Sequence, residues 1–293
     1  MAKEILIIKI GALGDVLRTT PLLRVLAGNI TWLTKKEAFP LLRTDRINFL
    51  ADINNKKAIK KLLDKKFSLI LGLDEDKKAA ELASKLKTKK LTGIFLKDRK
   101  IIYTKDSSSW FDMSLISRFG LKKSNKLKKQ NKLSYQEHLF RMIGKKFDKE
   151  EYVLSVPIRK ISSDVVGIEA RAGEKWPLKQ WKGFPALISL LKREGYRILI
   201  LKQRDKLEDY IDDINKCKYI ICGDTLAMHI ALALKKNIVA IFTCTSPQEI
   251  YDYGRLVKVT SPLLNKYYYK KEANDVNFRI SVKGVLNAFE KLR

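Results

Sequence analysis

The chain has 293 residues, room for two medium α/β domains or one large one. Its 45% hydrophobic and 9% aromatic content supports a packed core and excludes global disorder. The net charge of +28 reads equally as the field of a polyanion-binding protein or as solvated lysine-rich faces, and neither a secretory leader nor a run near the ~20 apolar residues of a membrane span is seen, so a soluble cytosolic protein is expected.

The first apolar run, residues 5–10, has the length and β-branching of a strand buried on both faces. It breaks at Gly11-Ala-Leu-Gly14, and Asp15 opens a helical pattern predicted over 15–27. Further strands are predicted at 30–33, 68–73 and 91–95, with helices at 54–65 and 77–87. This alternation is that of stacked βαβ units. Residues 107–146 change character and read as two helices, 110–119 and 135–143, around a flexible lysine-rich loop. Residues 85–132 carry fifteen Lys or Arg against Asp98, Asp106 and Asp112, which concentrates the charge in one half of the chain.

A second alternating series follows Val156-Pro157. Strands are expected at 165–168, 196–201, 219–222 and 238–242. Helices are expected at 181–194, 207–215, 225–234 and 282–292. Two α/β series of similar size predict two Rossmann-like domains, 1–155 and 156–293.

Three cysteines (Cys217, Cys222, Cys244) and two histidines (His138, His229) form neither a disulfide framework nor a zinc motif, so metal-independent chemistry is expected. Chemistry-bearing residues gather at three strand-to-helix turns. At the first, Gly11 and Gly14 permit a tight turn and close ligand approach, and Asp15 reads either as a helix cap or as a catalytic carboxylate. At the second, Gly223-Asp224-Thr225 opens a helix whose first N–H groups make an anion site, with Thr225 adding a hydroxyl and His229 one turn on. Asp224 reads as a cap or as a partner of a cation or ribose, and His229 as a ligand or an ordinary half-buried helix residue. At the third, Arg171-Ala-Gly-Glu-Lys175-Trp-Pro177 suits a diphosphate through Arg171 and Lys175, or is a plain connecting loop.

These motifs together resemble glycosyltransferase family 9, the heptosyltransferases of the lipopolysaccharide inner core. The stretch from Ile8-Lys-Ile-Gly11 to Pro21-Leu22 is similar to the family's N-terminal signature. Phe67-Ser-Leu-Ile-Leu-Gly-Leu-Asp-Glu-Asp76, Lys175-Trp-Pro177 with Trp181 beyond it, Gly223-Asp-Thr-Leu-Ala-Met-His229 and Val239-Ala-Ile-Phe242 follow in the family's order. The resemblance implies a GT-B fold: an acceptor domain, 1–155, and a nucleotide-sugar domain, 156–293, facing across a cleft. It implies Asp15 as general base for an inverting transfer, and Gly11, Gly14 and Arg18 as the acceptor-side loop. The donor diphosphate would fall to Lys175, Arg171, Asp224, Thr225, Leu226 and His229, with no metal or other cofactor required. The implied partners are a nucleotide-diphosphate sugar, ADP-heptose first among them, and an anionic envelope glycolipid reached by peripheral contact with the inner membrane.

The chain departs from the family pattern at Leu226, where glycine is common, at Glu174, with the lysine displaced to Lys175, and at Phe242-Thr-Cys-Thr245. After residue 201, Lys202-Gln-Arg-Asp205 leads almost directly into the next helix, so about 25–30 residues, one αβ unit, are missing from the donor half. A degenerate, non-catalytic member binding a glycolipid or protein is the alternative. No nucleic-acid partner is expected, because the lysine stretch has no interleaved aromatics.

Overall fold

The computed structural model describes residues 2–161, 164–174, 176–270, 272–273 and 277–293. The chain divides into two compact units, Met1–Ser155 and Val156–Arg293.

In the first unit the strands are β1 (Glu4–Ile8), β2 (Asn29–Thr34), β3 (Phe49–Asp52), β4 (Lys66–Phe67), β5 (Leu69–Gly72), β6 (Lys87–Thr88), β7 (Leu91–Lys97) and β8 (Lys100–Tyr103). The helices are α1 (Leu13–Leu17), α2 (Phe39–Leu42), α3 (Lys56–Asp64), α4 (Lys77–Lys85), α5 (Ser108–Phe111), α6 (Gly120–Gln130) and α7 (Tyr135–Met142). Six strands form one sheet in the order β3-β2-β1-β5-β7-β8, parallel except for the β7–β8 hairpin. Strand β1 is central, with Ile5 paired to Ile30 on one side and Leu69 on the other. Its Leu6, Ile7 and Ile8 are wholly buried, as a parallel strand covered on both faces requires. Helix starts are set by side-chain caps: Asn55 on α3, Asp76 on α4, and a Ser134–Glu137 capping box on α7.

Strands β5 and β7 approach so closely that both need glycine at the contact. A Cβ at Gly72 would lie 2.7 Å from the Ile94 carbonyl oxygen, and one at Gly93, whose φ is +106°, would fall on the Gly72 carbonyl oxygen. Gly93→Ala is therefore expected to destabilise the first unit by at least about 2 kcal/mol, read as a lower urea midpoint. An unchanged midpoint would show that the sheet relaxes there.

Three expectations for this unit are corrected. The helix predicted over 15–27 is the short α1 followed by a 3-10 turn, Thr20–Arg24, because Pro21 cannot donate the backbone hydrogen bond that a continuing helix needs. The helix expected over 110–119 is only α5, Ser108–Phe111. The lysine-rich stretch is no loop: Gly120–Gln130 is helix α6, since Leu, Lys and Gln are good helix formers and Ser124 and Lys128, one turn apart, give it a buried face. Strands β3 and β8 lie at the sheet's edges, and their apolar runs, 49–51 and 101–103, are only three residues long.

The second unit comprises β9 (Val165–Glu169), α8 (Phe184–Arg193), β10 (Arg197–Ile200), α9 (Leu207–Asn215), β11 (Tyr219–Gly223), α10 (Leu226–Ala233), β12 (Asn237–Phe242), β13 (Leu256–Thr260), α11 (Leu264–Tyr267) and α12 (Val282–Glu290). Its five-stranded sheet is all parallel in the order β10-β9-β11-β12-β13. Trp181, Phe184, Leu187, Leu191, Val285 and Phe289 pack on one face of that sheet. Strand β10 lies at the edge and passes through Leu201-Lys-Gln-Arg-Asp-Lys206 straight into α9, with Arg204 Nε bonded 2.7 Å from Asp213 Oδ2. Strand β13 has no strand signal in the sequence, because Lys258 interrupts its apolar pattern. Cys217, Cys222 and Cys244 are free thiols in the core, as small hydrophobes.

Candidate functional site

In each unit the order of strands reverses beside the first strand, between β1 and β5 and between β9 and β11. Open parallel sheets hold ligands outside the carboxyl ends of the strands at such a switch point. The predicted motifs sit at these two places.

In the first unit, Asp74 just beyond β5 fastens the loop that leaves β1. Its Oδ2 accepts the N–H groups of Ile10, at 2.8 Å, and Gly11, at 2.7 Å. Lys9 is buried beneath, donating to the Leu73 carbonyl at 2.9 Å and lying 3.7 Å from Asp74. Burial opposes the charge on Lys9, but Tyr135, Asp74 and Asp15 outweigh it and hold its pKa above the ordinary lysine range. Helix α1 begins after Ala12, so Asp15 is its third residue and not its cap.

The Asp15 side chain is 37% exposed, and its Oδ1 takes a bond from Arg18 at 2.9 Å. The Arg18 guanidinium lies 4.0 Å from the Tyr135 ring centre and 5.7 Å from that of Trp110. Thr19 Oγ1 donates to the Asp15 carbonyl at 2.8 Å and lies 3.1 Å from the Tyr135 hydroxyl. An accessible carboxylate is thus set in place by an aromatic-backed arginine. Gly14 is in α1, and Gly11 stands at the loop with Asp74 Oδ2 3.2 Å from where its Cβ would be. Motif reading found Asp15 and Arg18 but gave no role to Asp74, Tyr135 or Trp110, which come from distant parts of the chain.

In the second unit, α10 starts directly after β11, with Thr225 as its N-cap residue in extended conformation. Asp224 is therefore not the cap. Thr225 Oγ1 is buried and finds no hydrogen-bond partner among the described residues, and in the first turn the Met228 N–H donates to the Thr225 carbonyl at 3.1 Å. Leu226 is the first helical residue, and His229 is buried one turn further along.

Lys179, in the 3-10 turn Pro177–Lys179, is the cation that reaches this helix start. Its Nζ donates to the Asp224 carbonyl at 2.8 Å and to Asp224 Oδ2 at 2.7 Å, and Thr245 Oγ1 donates to the same oxygen at 2.7 Å. Burial disfavours the charged Asp224, but Lys179 and His229, with the bonds from Lys179 and Thr245, hold its pKa down at about 2. Lys175 lies outside the described residues. Arg171, at the end of β9, is engaged by Glu169, which accepts from its Nε at 2.9 Å and from a terminal nitrogen at 2.6 Å. The buried Glu169 also takes the Tyr210 hydroxyl at 2.6 Å. Trp176 meets Tyr269 edge-on at 5.7 Å and lies 6.0 Å from Lys179 Nζ. Sequence reading missed Lys179 and Thr245. The signal available was a lysine in the turn that follows Trp176-Pro177.

The depressed pKa has a pH consequence. Asp224 contributes stability that is fully present above its ordinary value of 3.8 and is lost as pH falls through about 2. In acid titration, Asp224→Asn is expected to be the less stable protein at neutral pH by about 2 kcal/mol and to converge with the parent near pH 2. Parallel curves across that window would rule out this linkage.

Residues 204–277 match the sequence profile described as glycosyltransferase family 9 (heptosyltransferase). No curated protein sequence matches the chain. Among solved structures, the E. coli heptosyltransferase WaaC with ADP is 14% identical, with a TM-score of 0.66 over 99% of this chain and 100% of that one. The E. coli ADP-heptose lps heptosyltransferase II is 17% identical, with a TM-score of 0.60 over 99% and 98%. A glycosyl transferase family 9 protein from Veillonella parvula is 17% identical, with a TM-score of 0.60 over 99% and 97%. These likenesses show the fold, two Rossmann-like units of the GT-B class.

Proposed function

We propose that the chain, whose residues 204–277 match the profile of glycosyltransferase family 9 and whose two units share the fold of solved heptosyltransferases, is an inverting glycosyltransferase. The observation that carries the reading is the setting of Asp15: an accessible carboxylate at the β1/β5 switch point, oriented by Arg18. In this reading Asp15 takes the proton from an acceptor hydroxyl as that oxygen attacks the anomeric carbon of the donor sugar. The carbon–oxygen bond to the nucleoside diphosphate breaks on the opposite side, so the centre inverts.

The leaving diphosphate carries the developing charge, and the second unit supplies its binding groups: the first N–H groups of α10, the Thr225 hydroxyl and Lys179. The unpartnered Thr225 Oγ1 supports this assignment, since a phosphate oxygen would satisfy it. Lys179 balances Asp224, which otherwise would repel the phosphate. Arg171, Leu226 and His229 complete the wall of the donor site, with Glu169 fixing Arg171. Gly11 and Gly14 let the acceptor approach the backbone beside Asp15.

The donor is a heptose or related sugar carried on a nucleoside diphosphate. ADP-heptose is the first candidate, because WaaC has been solved with ADP and with ADP-2-deoxy-2-fluoro heptose. The acceptor is an anionic lipopolysaccharide-core or other envelope glycolipid, met at the cytoplasmic face of the inner membrane. No helix among the described residues is long and apolar enough to cross a membrane, so such contact would be peripheral.

The direct test is a screen of nucleotide-diphosphate sugars on extracted glycolipid, with mass detection of the product. A mass gain of one heptose or hexose from one donor is expected. Absence of binding to any nucleoside diphosphate in calorimetric titration would instead support a non-catalytic glycolipid- or protein-binding role, which the short β10–α9 connection favours.

A further inference from the structure

Six large apolar side chains are exposed on the described surface, and three of them, Leu115, Phe119 and Leu121, fall within seven consecutive residues. Leu115 is 71% exposed, Phe119 41% and Leu121 57%, so all three present much of their surface to solvent. They lead into α6. That helix packs inward through Ser124 and Lys128, with Lys128 Nζ 5.4 Å from the Trp110 ring centre. The side opposite these two residues carries Lys122, Lys126 and Lys129, at i, i+4 and i+7, all exposed. Around Phe119 stand Arg118, 5.0 Å from the ring centre, and Lys123, 4.0 Å away. From Met113 to Gln136 there is no acidic residue.

We infer that residues 115–132, with α6 at their centre, form a docking surface for an anionic phospholipid bilayer. Two independent features of the surface point to this occupant. An ordered helix with an acid-free lysine stripe complements a polyanionic surface, whereas a solvated charged face would carry both signs. Exposed Leu and Phe beside that stripe suit a headgroup layer with hydrocarbon beneath, into which apolar side chains insert while lysines remain at the phosphates. Nucleic acid would satisfy the lysines but leave Leu115 and Leu121 without a partner. The inference deepens the peripheral contact proposed above by naming its element. It does not depend on catalysis, because bilayer binding is measured without donor or acceptor.

The test is co-sedimentation of the full chain with vesicles of phosphatidylcholine, alone or mixed with phosphatidylglycerol. Binding is expected only to the anionic vesicles and is expected to weaken as salt rises. K122E/K126E/K129E should lower it by at least about tenfold. L115S/F119S/L121S should lower it several-fold at constant charge. Both variants change exposed positions, and an unchanged urea midpoint confirms that each is folded. Equal binding to neutral vesicles, parental binding by either folded variant, or preference for a nucleic acid duplex over anionic vesicles would overturn the proposal.

Discussion

Asp15→Asn is expected to lower turnover by about 10²–10⁴-fold, the range a positioned general base contributes. The amide keeps the size of the carboxylate and can still face Arg18, so the change removes the proton acceptor with little change in packing. Donor binding is made by groups of the second unit in the proposed mechanism. Calorimetric titration with the nucleoside diphosphate should therefore give the parental affinity. Asp15 lies at the third position of a five-residue helix, with its side chain 37% exposed, so the urea midpoint should move little. Turnover at the parental rate would remove Asp15 from the chemistry. A variant that lost donor binding as well would show that the residue acts on the fold.

Lys179→Met is expected to produce two separable losses. The first is stability. Lys179 and Asp224 have side chains only 16% and 15% exposed, and removing the cation leaves a buried carboxylate with the Thr245 hydroxyl and the nearby His229 alone to offset it. Breaking a buried pair on one side costs about 3 kcal/mol. Hydrogen exchange of the β11 amides in urea should report this, since β11 leads directly into Asp224. The second loss is affinity for a nucleoside diphosphate, by about tenfold or more, the worth of a charge-assisted hydrogen bond. The double variant K179M/D224N separates the two effects. It should recover most of the stability, because no charge is left unpaired, while the nucleotide affinity stays low. Recovery of affinity in the double variant would show that Lys179 serves only to balance Asp224.

Helices and strands were legible where burial imposes a period. Strands β1, β9, β11 and β12 are covered on both faces, so each is a run of apolar residues with turn signals at its ends. Edge strands β3 and β8 carry runs of only three apolar residues, partly exposed because one side of each strand meets solvent. Helix α6 was hidden by the opposite fault: its charge density resembles a disordered tract, and the contact that orders it involves a buried lysine beside Trp110. The motif turns were legible because glycine, aspartate and threonine at a strand-to-helix junction have few structural roles. Their partners were not. Asp74 lies 63 residues from the Gly11 whose N–H it holds, and Lys179 lies 45 residues from Asp224.

The α/β alternation, the two series of units, the turns at Gly11–Asp15 and Gly223–Thr225, and the concentration of positive charge in the first half are all readable from the order of residues alone. Each of these is local, written in residues a few positions apart. That Asp15 is not a cap, that Arg18 is backed by Tyr135 and Trp110, that Lys179 reaches the α10 start, and that Arg171 is already engaged by Glu169 emerge from the folded chain alone. The parallel sheet accounts for this. It brings the carboxyl ends of strands that are distant in sequence within hydrogen-bond reach, and no spacing along the chain records which side chains meet there.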